Sequence, residues 1–259
     1  MRVLFVGDVI GKPGRKALRS RLRALSLESD FDLVIANGEN SAGGFGITRK
    51  VADELFSDGV QVITSGNHVW DKREALELLE EDGRVIRPAN YPPGVPGSGS
   101  IVVNTASGAR VGVINLAGRV FMTPLDCPFR TVDRVLGDLR GKVDFVIVDF
   151  HAEATSEKIA MGWHLDGKVA AVLGTHTHVQ TSDERILPGG TAYITDVGMT
   201  GPVNSVIGVR TDQILERFML QMPNRYNVAE GPVAFSAVEL VVGGTKGLAT
   251  TIKRHYEVI

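Results

Sequence analysis

Cysteine is nearly absent from this 259-residue chain, and the one it has, Cys127, excludes any intrachain disulfide framework. That fits a reducing compartment, and Cys127 itself reads as a packed loop residue that behaves as a small hydrophobe. Long hydrophobic runs are missing as well. No stretch approaches the ~18 uncharged apolar residues of a membrane span, and the apolar run at residues 3–6 is far too short for a signal-peptide core. No membrane partner and a cytoplasmic address are therefore expected. An excess of one charge is the third absence: 28 basic and 30 acidic residues are well mixed, giving a formal charge of -2. Without a basic footprint there is no electrostatic case for binding long nucleic acid, so any phosphate recognition must be local. Internal repeats and low-complexity tracts are absent too.

What is present is ample material for a core. A hydrophobic content of 43% predicts one domain over residues 1–259, with a lid or insertion around residues 88–130. Short apolar runs at residues 3–6, 33–36, 60–64, 111–115, 145–148 and 169–173 alternate with helical patterns at 15–27, 48–57, 72–80 and 156–164. That alternation predicts βαβ units with a largely parallel core. Thr48 is placed to cap the second helix, and Gly59 follows its end. Residues 88–99, rich in Pro, Gly and Asn, read as a loop leading into an antiparallel pair at 100–104 and 110–115. From residue 184 the pattern changes to strands at 191–195, 234–242 and 248–256, the last two predicted to form a hairpin across Gly243-Gly244-Thr245-Lys246-Gly247. A βαβ half followed by antiparallel strands is accommodated by an α/β fold of the four-layer α-β-β-α type, two mixed sheets flanked by helices.

The segment Gly174-Thr175-His176-Thr177-His178 carries the strongest chemical signal. It follows an apolar strand, where an open α/β sheet binds its ligands, and two imidazoles at i and i+2 of a turn can face one point. Other predicted strands deliver Asp8, then Glu39 and Asn40, then Asn67 and His68, then His151 into loops at the same edge. The chain has six histidines, and four of them fall in these loops; His164 and His255 read as structural or surface residues. Taken singly, Asp8 could cap a helix, and Glu39, Asn40 and Asn67 could be solvated turn residues. Their convergence from five strands favours a site.

Oxygen and nitrogen donors without a thiolate suit a pair of Mn, Fe or Zn ions rather than a structural Cys-zinc site. The chemistry that fits is hydrolysis of a phosphate ester by two metals about 3.5–4 Å apart, a hydroxide held between them attacking phosphorus in line with the leaving oxygen. Glu39 is the candidate bridge. Asp8 and His178 would complete one metal and Asn67, His151 and His176 the other, with Asn40 beside the bridge. His68 would face substrate, protonating the leaving alkoxide or stabilising the charged phosphate.

Gly66-Asn67-His68, His151 and Gly174-Thr175-His176-Thr177-His178 resemble the later motifs of the calcineurin-like metallophosphoesterases, with one residue inserted before His176. The earlier motifs depart: Val9-Ile10 follows Asp8 where that superfamily has its first histidine, and Gly38-Glu39-Asn40 stands in place of Gly-Asp. Gly7-Asp8-Val9-Ile10-Gly11, Asn37-Gly38-Glu39-Asn40, Gly66-Asn67-His68-Val69-Trp70-Asp71, Gly118-Arg119-Val120-Phe121-Met122 and Thr195-Asp196-Val197-Gly198-Met199-Thr200-Gly201-Pro202 are similar to a narrower branch, the YmdB-like phosphodiesterases. The resemblance runs over nearly the whole chain. It implies a di-metal phosphodiesterase acting on cyclic nucleotides, 2',3'-cyclic nucleotides above all, with the four-layer fold, a homo-oligomeric state and, in some bacteria, a regulatory role. Fe or Mn is favoured, and Zn or Mg is an alternative.

Further candidates lie around these residues. Arg119 offers a guanidinium for phosphate and Phe121 a ring for base stacking. Lys12 and Arg15 could hold phosphate or sit at a solvated helix start. The loop Ala42-Gly43-Gly44-Phe45-Gly46 lets backbone approach a ligand, and Asp196 and Thr200 are expected to order the site from behind. Two other functions share these residues: a phosphomonoesterase using the same metals, and a regulatory metal-binding protein with little turnover.

Overall fold

A computed structural model describes residues 1–28, 30–244 and 247–259, the side chain of Glu28 excepted. In chain order the elements are β1 (Arg2–Val6), β2 (Asp8–Val9), α1 (Gly11–Glu28), β3 (Leu33–Asn37), α2 (Arg49–Ser57), β4 (Val62–Thr64), α3 (Glu74–Glu81), β5 (Ser100–Asn104), β6 (Arg110–Ala117), α4 (Pro128–Leu139), β7 (Phe145–His151), α5 (Thr155–Leu165), β8 (Ala171–Thr175), β9 (Arg185–Ile186), β10 (Ala192–Ile194), β11 (Met199–Pro202), α6 (Thr211–Leu220), β12 (Val233–Gly243) and β13 (Leu248–Val258). Among the described residues the strands form two mixed sheets. One runs β2-β11-β12-β1-β3-β4, with β13 also paired to β12; the other runs β5-β6-β7-β8-β10-β9.

Strand alternation builds the layers. Along β1, Val3 and Phe5 point between the sheets while Leu4 and Val6 meet the helices, and β3 repeats the arrangement with Leu33 and Ile35 against Val34 and Ala36. In the second sheet, Phe145 and Ile147 face the first sheet, whereas Val146, Val148 and Phe150 pack beneath α4 and α5. A strand buried on both faces is apolar along most of its length, which is why these runs are continuous rather than alternating. Helices over both outer faces complete the four-layer α-β-β-α sandwich.

The expected elements are found with shifted ends. Thr48 caps α2, its hydroxyl accepting from the Val51 amide at 3.4 Å, and β12 and β13 pair as a hairpin. Thr245 and Lys246 of the expected turn lie outside the described residues. The first helix starts at Gly11 rather than residue 15, with Gly11 at φ 54° and its amide bonded to Asn40 O at 2.9 Å. Two helices go beyond the expectation. α4 opens with Pro128 in its first turn and buries Val132, Val135 and Leu139 on one stripe, while α6 buries none of its residues. No helix among the described residues is long and apolar enough to cross a membrane.

Phe5 is fully buried between the sheets. Phe5→Ala should remove about 3–5 kcal/mol of stability, lowering the urea midpoint with an unchanged slope. A loss below about 1 kcal/mol would show that the two sheets do not depend on this contact.

Candidate metal centre

Strand ends from both sheets meet at one point. β1 runs into Gly7 and Asp8, β3 ends at Asn37 just before Glu39, β4 ends before Asn67, and β8 ends at Thr175 with His176 next in line. Two residues expected in loops are held in strands instead. Asp8 pairs with Met199 of β11, and His151 is the last residue of β7, registered between Ala117 and Thr175. Strand placement fixes the backbone of both more firmly than a loop would.

Glu39 is fully buried, and the other candidates gather around it. Its Oε1 stands 3.0 Å from His151 Nε2 and 3.2 Å from Asn40 Nδ2. Its Oε2 accepts the His68 backbone amide at 3.0 Å. On one side, His151 Nε2 also meets Asn67 Oδ1 at 2.9 Å and His176 Nδ1 at 3.0 Å. On the other, His178 Nε2 lies 3.2 Å from Asn40 Nδ2 and 3.7 Å from Asp8 Oδ1. Gly66 is required here, because a Cβ would fall 2.3 Å from His151 Nε2 and 2.5 Å from Glu39 Oε2.

These donors fit metal ions by three independent features. Donor atoms of Glu39, His151 and His176 lie within 4.8 Å of one another. Asp8 Oδ1 and Asn40 Oδ1 are buried without a hydrogen-bond partner, an arrangement that ordinarily costs about 1–3 kcal/mol or more per group; turning the Asn40 amide would present its oxygen to Glu39 and His178. Finally, each histidine is tied through the ring nitrogen facing away from the cluster. His151 Nδ1 meets Thr175 Oγ1 at 2.9 Å, and that hydroxyl donates onward to Asp149 at 2.7 Å. His178 Nδ1 donates to Ile207 O at 2.9 Å, and His176 Nε2 lies 3.0 Å from the Glu153 carboxylate. Such partners select the tautomer whose other nitrogen carries a lone pair, as metal-ligating histidines require.

Asp149, Thr175, Asn37, Glu153 and Lys158 were given no role by sequence reasoning. Asp149 directly follows the apolar run at residues 145–148; buried, it accepts from Asn37, Thr64 and Thr175. Lys158, also buried, donates to Asp196 at 2.6 Å. Asp196 in turn accepts from the Thr177 amide at 3.0 Å and hydroxyl at 2.8 Å, locking a turn in which His176 and His178 sit at φ 101° and 67°. Positive φ at non-glycine residues costs on the order of 1–3 kcal/mol each, so the Asp196 clamp offsets strain needed to aim both rings inward.

Other candidates lie elsewhere. Arg15 pairs with Glu54 at 2.9 Å and donates to Ser41 O at 2.6 Å, which ties α1 to α2. The Arg119 amide donates to Glu157, and Phe121 is 89% exposed. Neither Arg119 nor Phe121 lines the pocket of about 100 Å³ over the cluster, whose walls include Phe45, His68, Ile207, Asn227 and Val228. Lys12 lines a larger, adjoining cleft. His164 and His255 pair with Asp133 and Glu239, away from the site.

A sandwich of two mixed sheets with histidine, carboxylate and amide donors at the meeting of its strand ends defines a fold of metallophosphoesterase type. The chain belongs to the YmdB-like protein family, whose family model matches residues 4–255. It is 46% identical to a 2',3'-cyclic-nucleotide 2'-phosphodiesterase of Bacillus subtilis, across 98% of this chain and 96% of that one. Its structure is similar to that of a hypothetical protein from Thermus thermophilus, with a TM-score of 0.94 and 46% identity over 100% of this chain and 99% of the other. A novel phosphatase from Mycoplasma pneumoniae superposes with a TM-score of 0.93 at 35% identity, covering 100% and 93% of the two chains.

Charge coupling sets how protons compete for this cluster. Burial disfavours the Glu39 carboxylate, but the His151 and His68 contacts outweigh it and hold its pKa at about 2. Burial likewise disfavours a charged His151, yet Glu39, Asp8 and Asp149 raise it to about 9. Burial and the charge of His151 push His176 down to about 3, and burial pushes Asp8 up. A metal entering at His151 Nε2 must displace a proton that is bound below about pH 9. Apparent Mn affinity, measured by titration calorimetry, should therefore rise with pH by up to about tenfold per unit and level off above about 9. Affinity independent of pH between about 6 and 9 would contradict His151 as a donor.

Proposed function

We propose that the protein is a metal-dependent phosphodiesterase that opens cyclic nucleotides, 2',3'-cyclic nucleotides above all. The observation that carries this reading is the placement of Glu39 between two donor groups, Asn40, His178 and Asp8 on one side and Asn67, His151 and His176 on the other. The similarity to the Bacillus subtilis phosphodiesterase over nearly the full length of both chains supports the substrate class. Asp8, Asn40 and His178 would hold one ion and Asn67, His151 and His176 the other, with Glu39 shared; the thiolate-free donors favour Fe or Mn, with Zn or Mg as alternatives. Bound ions of this kind lower the pKa of water and polarise phosphoryl oxygens.

The chain's own residues then bind, orient and transfer a proton. His68 lines the pocket with its Nδ1 held by the Asp71 carboxylate at 2.8 Å, leaving Nε2 to face substrate. As water adds to phosphorus, one ring P–O bond breaks and the ribose oxygen leaves; His68 Nε2 supplies the proton that oxygen takes up and is restored by the proton the attacking water releases, while Asp71 orients the ring through Nδ1. Phe45 packs edge-on against His68, with ring centroids 5.0 Å apart, and limits how the imidazole can turn. A homo-oligomer agrees with α6, which buries no residue and leaves Phe218 and Met219 70% and 79% exposed.

Wild type, Glu39→Ala and His68→Ala, each loaded with Mn, should be compared for metal content and for hydrolysis of a 2',3'-cyclic nucleotide and of a monoester. Glu39→Ala is expected to lose both metal and turnover. His68→Ala should keep its metal while kcat falls about 10²–10⁴-fold. Full metal content without hydrolysis of either substrate would favour a regulatory metal-binding role, and preference for the monoester would favour a phosphomonoesterase.

A further inference from the structure

The pocket over the donor cluster, at about 100 Å³, holds a phosphoryl group but not a whole nucleotide, since sites that enclose ligands of that size are typically ~300–1,000 Å³. The rest of the substrate must extend outside it. Immediately beside it lies a much larger cleft, about 1170 Å³. The two share Asn227 and Val228 as walls, with Gly44 lining the pocket and Gly43 the cleft. A Cβ on Gly44 would come 3.0 Å from Val228 Cγ2, and beside Gly43 there is open space.

Charge distinguishes this cleft from ordinary surface. Lys12, Lys16 and Arg210 line it, against the single acidic side chain of Glu230. Arg210 is held by Asp212 at 2.7 Å. On α1, Arg15, Arg19 and Arg21 are each paired, with Glu54, Asp58 and Glu257. Lys12 and Lys16, by contrast, have no ion-pair partner among the described residues. They lie at i and i+4 on one face of the helix, where like charges repel. An anion between them relieves that repulsion and gains two charge-assisted hydrogen bonds.

Resting on the phosphodiesterase reading, we infer that the Lys12–Lys16 cleft binds a second phosphate, the one attached at the 5' position of the nucleoside whose cyclic ester occupies the pocket. The preferred substrates are then nucleoside 2',3'-cyclic phosphates that carry a 5'-phosphoryl group, either as a free monoester or as the linkage to a preceding nucleotide of a short oligonucleotide. The reaction is unchanged: water adds at the cyclic phosphorus, the ring P–O bond breaks, and the 5'-phosphate serves only as a handle. Apolar Val228 and Val233 in the same cleft leave room for the nucleoside between the two phosphates.

The test compares kcat/KM of the Mn-loaded protein for one nucleoside 2',3'-cyclic phosphate with a 5'-hydroxyl, the same compound with a 5'-phosphate, and the dinucleotide ending in the cyclic phosphate. The 5'-phosphorylated forms should be favoured about tenfold or more, and the Lys12→Ala/Lys16→Ala variant should bring that ratio toward one. A higher rate for the dinucleotide than for the 5'-monophosphate identifies an oligonucleotide end as the preferred source; the reverse identifies a mononucleotide bisphosphate. Equal kcat/KM for all three in wild type, or a preference untouched by the double substitution, overturns the inference. If none is hydrolysed, the phosphodiesterase reading fails, and calorimetric binding of a nucleoside 3',5'-bisphosphate against the 3'-monophosphate decides the cleft separately. Tighter bisphosphate binding that is lost in the double variant upholds the second-phosphate site, and equal binding in wild type removes it.

Discussion

A fully buried carboxylate with both oxygens committed is the constraint on which the site depends. Glu39 places Oε1 against His151 and Asn40 and Oε2 against the His68 amide. Taking such a charge out of water costs several kcal/mol unless cations or donors surround it. The chain supplies those donors from both sheets, and the result is a point where side chains distant in sequence must agree closely in position.

The scaffold supports that agreement through strand ends rather than flexible loops. Asn37 at the end of β3 reaches Asp149 of β7 across the sheet interface at 3.2 Å, so the two sheets are joined by a polar contact directly behind the donor cluster. Thr175 couples Asp149 to His151, and the buried Lys158–Asp196 pair holds the turn carrying His176 and His178. Removing one partner of a buried pair of this kind is typically a loss of ~3–5 kcal/mol. The orientation of the clustered side chains thereby depends on a second rank of buried polar groups.

Much of this is legible in the order of residues alone. Continuous apolar runs mark strands buried on both faces, and residue types that bind metals follow five of them, which is why Asp8, Glu39, Asn67, His151, His176 and His178 can be grouped. The supporting groups are harder to read, because Asn37, Thr175 and Lys158 are ordinary residues whose role comes from a neighbour in the other sheet or a later helix. Helix α6 lacks a stripe turned toward the core, so periodicity offers no reason to attach it to the fold. Arg119 and Phe121 have suitable chemistry at the end of a strand, but the chain there leads their region away from the pocket: the Arg119 amide is tied to Glu157, and Phe121 stands in solvent. Lys12 lies near the first motif in the sequence, yet it lines the adjoining cleft and not the pocket, the two sharing Asn227 and Val228 as walls.

We propose that one buried carboxylate, Glu39, serves two metal ions, and anomalous diffraction from crystals of the Mn-loaded protein decides this. Two peaks are expected, about 3.5–4 Å apart, one beside Asp8, Asn40 and His178 and the other beside Asn67, His151 and His176, with Glu39 between them. A single peak, or two that do not share Glu39, would rule out a carboxylate shared between two ions.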